Sequence, residues 1–341
     1  MDRVILGKTK LEVNRLGLGG IPIQRVEEGE AVGLVLHAVE RGIDFIDTSR
    51  VYTNSERRIG LALKQTRKRV VVASKSLSRT ADGLRADLET SLNELDRSRI
   101  DLYQCHNIKA VSDYEKVISR GGALEALIKA KEEGLIGHIG VSSHSLDMLD
   151  RILDEGLFET IMPCFSFLEH LSGEKIIPKA LSKNVGIVAM KPFSGGVIDE
   201  RKLALKYALS QPGILVLVGM EYKQMVDENW EVFDGSHDLD AEETAQIEQI
   251  RKKFDKNFCR RCDYCQPCTE GIPIQYIMGL RSLVKRRGSQ ILREGWIREA
   301  VDKGRNCSEC GLCLERCPYQ LPIPDLIKEN IQWADEELQE G

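Results

Sequence analysis

An aspartate, a tyrosine, a lysine and a histidine fall in order at the ends of three successive apolar runs. The first run is Gly42-Ile-Asp-Phe-Ile-Asp-Thr-Ser-Arg-Val-Tyr52. Ile43 and Phe45 belong to a short buried strand, and Asp47 sits where that strand should end. A carboxylate there is costly to bury without a partner. Tyr52 follows in a loop, and Asn54-Ser55-Glu56 opens an amphipathic helix that ends near Leu63. The next runs close alike: Val70-Val-Val-Ala-Ser-Lys75 ends on a lysine and Ile100-Asp-Leu-Tyr-Gln-Cys-His106 on a histidine. Singly, Lys75 reads as a solvated strand-end charge and His106 as a core histidine. Together, four ionisable groups emerging from consecutive strand tips are what a (β/α)8 barrel uses to assemble a catalytic rim.

A second chemistry is written in sulfur. Of ten cysteines, eight follow residue 258. They read Cys259-x-x-Cys262-x-x-Cys265-x-x-Cys268 and Cys307-x-x-Cys310-x-x-Cys313-x-x-x-Cys317-Pro318. The second is the bacterial ferredoxin spacing for a [4Fe–4S] centre, whose fourth cysteine typically serves the other cluster. The reading is two clusters: Cys259, Cys262 and Cys265 with Cys317, and Cys307, Cys310 and Cys313 with Cys268. The glycine after Cys310 eases the turn. The first motif departs from the run in its last gap and in Thr269, where proline is usual. One cluster on the second motif alone is therefore the alternative, and zinc, which paired Cys-x-x-Cys units also suit, is another. Cys105, next to His106 on its strand, should face the helix layer, and Cys164 should lie in the core.

The elements that position these groups alternate regularly. Val4 to Val13 reads as a hairpin with Gly7 at its bend, and Arg15 to Gly20 as a first strand whose glycines, Gly20 among them, allow close approach to the backbone. A helix through Glu30–Arg41 precedes the strand carrying Asp47. Further strands are expected near Ile136–Val141, Thr160–Cys164, Gly186–Met190 and Ile214–Val218, with helices such as Leu84–Leu95 and Leu124–Glu133 between them. The alternation predicts a parallel sheet and a TIM barrel. A doubly wound sheet lacks support, because no Gly-x-Gly-x-x-Gly follows the first strand. Ser236 to Phe258 reads as a charged linker helix, acidic early and basic late, as the helix dipole prefers. Helices are also expected at Ile274–Arg286 and Ile291–Asp302. The predicted organisation is a barrel over 1–235, a linker helix over 236–258, and an α-helical ferredoxin-like iron–sulfur domain over 259–341.

At these residues the chain resembles the aldo-keto reductase family, whose Asp-Tyr-Lys-His tetrad maps onto Asp47, Tyr52, Lys75 and His106. The resemblance implies reversible reduction of a small carbonyl substrate by NAD(H) or NADP(H). Tyr52 would protonate the nascent alkoxide; Lys75 would lower the phenol's pKa from its usual value of about 10. Asp47 would hold Lys75, and His106 would hydrogen-bond the carbonyl oxygen. For the cofactor, the resemblance points to Gly20, to Ser142 and Ser143 where the family has Ser-Asn, and to Met162 where it has Gln. It adds Met190, in place of a stacking aromatic, with Lys191, Pro192 and Phe193 behind it. After the last strand it adds Gly219, Met220, Glu221, Met225, Glu228 and Asn229. Glu221 and Met225 stand where the family grips a 2′-phosphate with cations. Only Lys223 is left to compensate, which predicts a tilt toward NADH or poor discrimination.

The two chemistries pull apart, because nicotinamide passes two electrons and each cluster one. Three functions stay open. One is a carbonyl reductase whose clusters stabilise the tail or shape the substrate mouth. The second is an electron-transfer protein whose barrel is a cofactor-binding scaffold or sensor. The third is a reductase drawing electrons from ferredoxin or another redox partner. A net charge of −5 with mixed signs gives no reason to expect nucleic acid or an acidic membrane surface. With no signal-peptide-like start and no apolar run near membrane-spanning length, the chain reads as cytoplasmic.

Overall fold

The computed structural model describes residues 2–340. Two short strands, β1 (Arg3–Ile5) and β2 (Glu12–Asn14), form an antiparallel hairpin with Val4 opposite Val13. Among the described residues, eight further strands run parallel and close on themselves. They are β3 (Leu16–Gly19), β4 (Phe45–Asp47), β5 (Val71–Ser76), β6 (Ile100–Cys105), β7 (Ile136–Ser142), β8 (Thr160–Met162), β9 (Gly186–Met190) and β10 (Leu215–Gly219). The ring shuts where Gly219 of β10 pairs with Gly19 of β3. β5 is buried along its whole length, the signature of a parallel strand covered on both faces.

The hairpin closes the barrel at its amino-terminal end. Val4, Leu6 and Val13 pack against Phe45, Val71 and Leu102, residues from the strands' lower halves. With that end plugged, the polar groups at the opposite rim are the ones open to chemistry.

Helices return the chain between strands: α1 (Glu28–Arg41), α2 (Ser55–Leu63), α3 (Ala81–Leu95), α4 (Val111–Ile118), α5 (Ala123–Glu132), α6 (Leu146–Glu155), α7 (Ile177–Ser182), α8 (Arg201–Ser210) and α9 (Lys223–Asp234). Their ends follow local chemistry. Thr80 caps α3 by accepting from the Gly83 amide, and Ser145 caps α6 by accepting from Met148. α1 stops at Gly42, whose φ of 121° and closeness to Trp230 leave no room for a side chain.

Beyond the barrel come α10 (Ala241–Phe254), α11 (Ile274–Met278), α12 (Leu280–Arg287), α13 (Gly295–Gly304), α14 (Leu312–Arg316) and α15 (Ile323–Glu340). A separate apolar core holds them, built from Ile277, Leu280, Ile291, Ile297, Leu321 and Ile327 among others.

Several boundaries differ from the sequence-based expectation, each for a local reason. The charged helix runs from Ala241 to Phe254 rather than Ser236 to Phe258. Asp240 and Glu243 form a reciprocal capping box that fixes its start, while Ser236 bonds the Asp238 amide in a turn. The helix expected at Ile274–Arg286 breaks at Gly279 into α11 and α12. The one expected at Ile291–Asp302 is a 3-10 turn, Ser289–Arg293, followed by α13 after an extended Glu294. The sixth barrel strand ends at Met162 instead of Cys164, because Pro163 has no amide to continue the ladder.

By its contacts the chain divides into two compact units. One runs through Pro192 and includes Glu200–Leu239. The other joins Phe193–Asp199 to everything from Asp240 onward. This cuts the chain differently from the boundaries at 235 and 258. The charged helix groups with the tail, and so does a short segment drawn from between β9 and α8. Within that second unit, Ser282 Oγ donates to the Gly195 carbonyl at 2.9 Å, Arg261 reaches the Ser194 carbonyl at 3.4 Å, and Lys285 pairs with Asp199. Ser194 and Ile198 are fully buried.

Candidate active site and cysteine centre

β4 ends on Asp47 and β5 carries Lys75 one step before its tip. Both side chains are 2% exposed, and the ammonium donates to Asp47 Oδ1. Lys75 also donates to the Thr48 carbonyl at 2.7 Å. Past β4 the backbone keeps climbing along β5: Thr48 N–H donates to the Ala73 carbonyl at 2.8 Å and Arg50 N–H to the Lys75 carbonyl at 3.1 Å. This brings Tyr52 back over the rim. The Lys75 ammonium and the phenol interact electrostatically, the nitrogen lying 5.0 Å from the ring's centroid. His106, directly after β6, meets Tyr52 edge-on with ring centroids 6.0 Å apart. The four residues expected to converge are therefore in one place.

Their electrostatics follow from burial and pairing. Burial pushes the Asp47 carboxyl up, and Lys75 and Gln104 pull it back only in part. Burial alone would lower Lys75, but Asp47 and Tyr52 outweigh it and hold the ammonium above its ordinary value. Burial also raises Tyr52 above 10, more than Lys75 lowers it. The expected net depression of the tyrosine is thus corrected: in the resting protein the phenol is held protonated, which is the form a proton donor needs. His106 is held well below its ordinary value by burial and by the nearby cations Lys75, Arg79 and Lys191, so its ring is neutral.

Two members of this web were not read from the sequence. Gln104, fully buried on β6, donates to Asp47 Oδ2 at 3.1 Å. The strand's two-residue alternation aims residues 104 and 106 to the same side, so a polar residue in an apolar run was the available signal. Ser49, 1% exposed, lies 3.0 Å from His106 Nδ1. Cys105 points the other way and is buried, with Tyr114 of α4 close by, as expected for the helix-facing side. Cys164 is buried in the core.

The residues expected at a cofactor are mixed in their disposition. Gly20 donates to the Asp47 carbonyl at 2.7 Å, and a side chain there would strike that carbonyl and Ser55. Ser142 and Ser143, at the tip of β7, are buried; Ser142 Oγ accepts from the Asn107 amide at 2.8 Å and Ser143 Oγ donates to the Ile108 carbonyl at 2.5 Å. Met162, the last residue of β8, is buried in the barrel interior, with Met190 at the end of β9 packed against the same cluster. Lys191, in left-handed backbone, donates to His144 Nε2 at 2.8 Å. Pro192 ends the first unit's stretch and Phe193 opens the segment that groups with the tail. After β10, Gly219 opposes Gly19 and Met220 is fully buried. Asn229 donates to the Met225 carbonyl at 2.6 Å, while Glu228 accepts from Gln224 at 2.8 Å.

Glu221 corrects the sequence reading. Arg25, from the loop after β3, pairs with it at 2.7 Å, so Lys223 is not the sole cation available. Lys223 instead lays its stem near Gly33 of α1.

The family profile of the aldo/keto reductases matches residues 15–203. The protein belongs to the aldo/keto reductase family. It is an oxidoreductase of that family built on the (β/α)8 barrel. L-galactose dehydrogenase of Arabidopsis thaliana is 28% identical over 298 residues, a match covering 72% of this chain and 92% of that protein. An aldo-keto reductase from Bacillus halodurans, solved in its holo form, shares the fold with a TM-score of 0.64 at 23% identity, covering 73% of this chain and 96% of that one. One from Klebsiella pneumoniae in complex with NADPH also scores 0.64, at 19% identity, covering 74% and 95%. The cysteine motifs lie beyond the range matched by the family profile.

In this reductase none of the eight tail cysteines is joined in a disulfide; Cys310 is exposed and the others are half-buried. They gather crosswise. Cys317 is an electrostatic neighbour of Cys259 and Cys262, and Cys313 neighbours Cys307, Cys310 and Cys268. Among the described residues, no three Cys, His, Asp or Glu side chains converge on a point suited to a single metal ion.

The two motifs share one backbone design. Arg261 and Asp263 flank Cys262 with φ of 58° and 65°; Glu309 and Gly311 flank Cys310 with φ of 53° and 80°. In both, the amide two residues on, Tyr264 or Leu312, donates to the middle sulfur. Alternating right- and left-handed backbone turns successive amides toward one point, the nest that binds anions and iron–sulfur groups. No helix among the described residues is long and apolar enough to cross a membrane.

Proposed function

We propose that this aldo/keto reductase reduces a small carbonyl substrate with NADPH or NADH and carries two [4Fe–4S] clusters in its tail. The observation that carries the catalytic reading is the buried Asp47–Lys75 pair with the Tyr52 ring 5.0 Å from the ammonium and His106 against the phenol. A bound nicotinamide supplies hydride to the carbonyl carbon. Tyr52, kept protonated, gives its proton to the carbonyl oxygen as negative charge develops there. Lys75 then faces a phenolate instead of a phenol and stabilises it, while Asp47 and the Thr48 carbonyl keep the ammonium in place. His106, uncharged, orients the oxygen by a hydrogen bond. Ser142, Met190, Lys191, Glu228 and Asn229 remain the residues offered to the cofactor. With Arg25 neutralising Glu221, repulsion of a 2′-phosphate is relieved, and poor discrimination between the two nicotinamides is the expected behaviour.

The cluster reading rests on the matched nests around Cys262 and Cys310 and on the crosswise thiols. An all-thiolate donor set suits iron–sulfur. A zinc ion would need its sulfurs about 2.3 Å from one centre, and so close to one another, whereas a four-iron cube takes them at separate corners. The repeated backbone favours a cluster on each motif despite the first motif's irregular spacing. Cys259, Cys262, Cys265 and Cys317 would hold one; Cys268, Cys307, Cys310 and Cys313 the other. Such a cluster passes single electrons, and exposed Cys310 suits exchange with a ferredoxin-like redox partner.

The test is carbonyl-dependent oxidation of NADPH and NADH by anaerobically purified protein. Tyr52→Phe should lower kcat by about 10²- to 10⁴-fold with cofactor affinity unchanged. Retained turnover would remove Tyr52 as the acid.

A further inference from the structure

Phe193–Asp199 continues directly from Met190, Lys191 and Pro192, residues expected at the cofactor, yet it groups with the cysteine-rich unit. It is a tight turn that moves as one piece. The Gly196 and Ile198 amides both donate to the Phe193 carbonyl, at 2.9 and 3.4 Å. Ser194, Gly195 and Gly196 run through left-handed backbone with φ of 48°, 72° and 88°. Such a conformation at a non-glycine residue persists only where neighbours hold it. Ser282 Oγ supplies one hold, donating to the Gly195 carbonyl at 2.9 Å.

Arg261 supplies another, and it reaches the thiols. It lies between Cys259 and Cys262 in sequence. Its amide donates to Cys259 Sγ at 3.4 Å, and its guanidinium donates to the Ser194 carbonyl at 3.4 Å. The guanidinium also lies against Gly195, where a Cβ would stand 2.9 Å from it. One residue thus touches a cluster thiol with its backbone and the turn after Phe193 with its side chain. Among the described residues, the stretch between α10 and α11 forms no strand or helix. Where Arg261 stands therefore depends on what the neighbouring sulfurs hold. Four thiolates tied to one group fix the loop, whereas four separate thiols leave it to weak amide contacts.

We propose that Arg261 is a positioning residue that couples the first thiol group, Cys259, Cys262, Cys265 and Cys317, to nicotinamide binding. With these thiols joined, Arg261 holds the turn that begins at Phe193, and the cofactor stretch leading into it is ordered for binding. The inference rests on the reading of Met190 to Phe193 as cofactor residues and of the tail as a cluster domain. The coupling needs no electron to pass between the two chemistries. It acts on affinity alone, so Tyr52, Lys75 and His106 keep their roles and kcat at saturating cofactor stays the same.

The test is calorimetric titration of anaerobically purified protein with NADPH and with NADH, with iron and labile sulfide measured on the same sample and amide hydrogen exchange followed over residues 193–199. Arg261→Ala keeps the amide that faces Cys259, so iron and sulfide should match wild type. Its Kd for both nicotinamides should rise about three- to tenfold, the range one hydrogen bond spans, and the Gly195 and Gly196 amides should exchange faster. Arg261→Lys, which retains a cationic donor, should recover most of the affinity. Cys259→Ser should lower iron and raise Kd, and joining it to Arg261→Ala should raise Kd no further, because both act through one contact. Unchanged Kd in Arg261→Ala overturns the proposal, as do additive losses in the double variant or an iron-poor Cys259→Ser protein that binds nicotinamide as wild type does. Unchanged iron in Cys259→Ser removes the first cluster and the coupling with it. If wild type binds neither nicotinamide, the reductase reading fails, while exchange at Gly195 and Gly196 still decides whether Arg261 ties the turn to the thiols.

Discussion

The barrel and the cysteine unit place polar groups in opposite ways. At the barrel rim, Asp47, Lys75, the Gln104 amide nitrogen and the Thr48 carbonyl bond one another through side chains and strand ends, with Gln104 Oε1 left buried and unpaired. Around the cysteines the backbone supplies the order: left-handed residues at Arg261, Asp263, Glu309 and Gly311 aim amides at the sulfurs. Each such residue costs roughly 1–3 kcal/mol outside glycine. The comparison teaches where stability originates. The rim should stand with nothing bound, whereas the tail should lean on what its thiols hold.

Removing one partner of the buried ion pair should have the largest effect. Asp47→Asn leaves Lys75 without its counter-charge and should cost about 3–5 kcal/mol. Thermal unfolding should show the loss, while iron content per chain stays at the wild-type level; a barrel that tolerates the change would undo the contrast. Next come the thiols. Cys317→Ser should halve iron and labile sulfide through the first group, and Cys268→Ser should halve them through the second, leaving Tyr52 chemistry in place. If each serine change instead empties the group nearest in sequence, the crosswise arrangement is wrong. Asp240→Ala removes the cap that starts α10 and should cost about 1 kcal/mol, seen as a lower melting temperature of the holo-protein. Smallest is the barrel's Arg25–Glu221 ion pair: Glu221→Gln frees Arg25 and should shift the NADPH/NADH ratio of kcat/KM toward NADPH by a few fold, the scale of a partly exposed ion pair.

The rise of the Tyr52 pKa adds a pH consequence. The proton donor is the neutral phenol, so reduction should hold through neutral pH and fall only as the pH passes a value above 10. A fall near neutrality would point to a different acid.

Much of the barrel was legible because its signals are periodic. Apolar runs ending in Asp47, Lys75 and His106 mark strand tips, and alternation sent Cys105 outward. The hidden parts are those that depend on long-range meetings. Gln104 touches Asp47 across 57 positions of sequence, and Arg25 meets Glu221 across 196. Ser49 lies in a loop without any period. The sign of the Tyr52 shift depended on how deeply the rim is enclosed, which spacing does not carry. In the tail, the cysteine spacing was plain, yet Gly279 and the extended Glu294 split helices that a hydrophobic pattern reads as continuous.

The segment Phe193–Asp199 has a bearing on how such a molecule could be taken apart. It is encoded inside the barrel yet anchored by Ser282, Arg261 and Lys285 of the tail. Cutting the gene after Leu239 would therefore strand Ile198 and Ser194 without their cover, since both are buried in the intact chain. The cysteine-rich portion is laced through its neighbour's sequence rather than appended to it, so a simple truncation or exchange at the end of the barrel would cut into both.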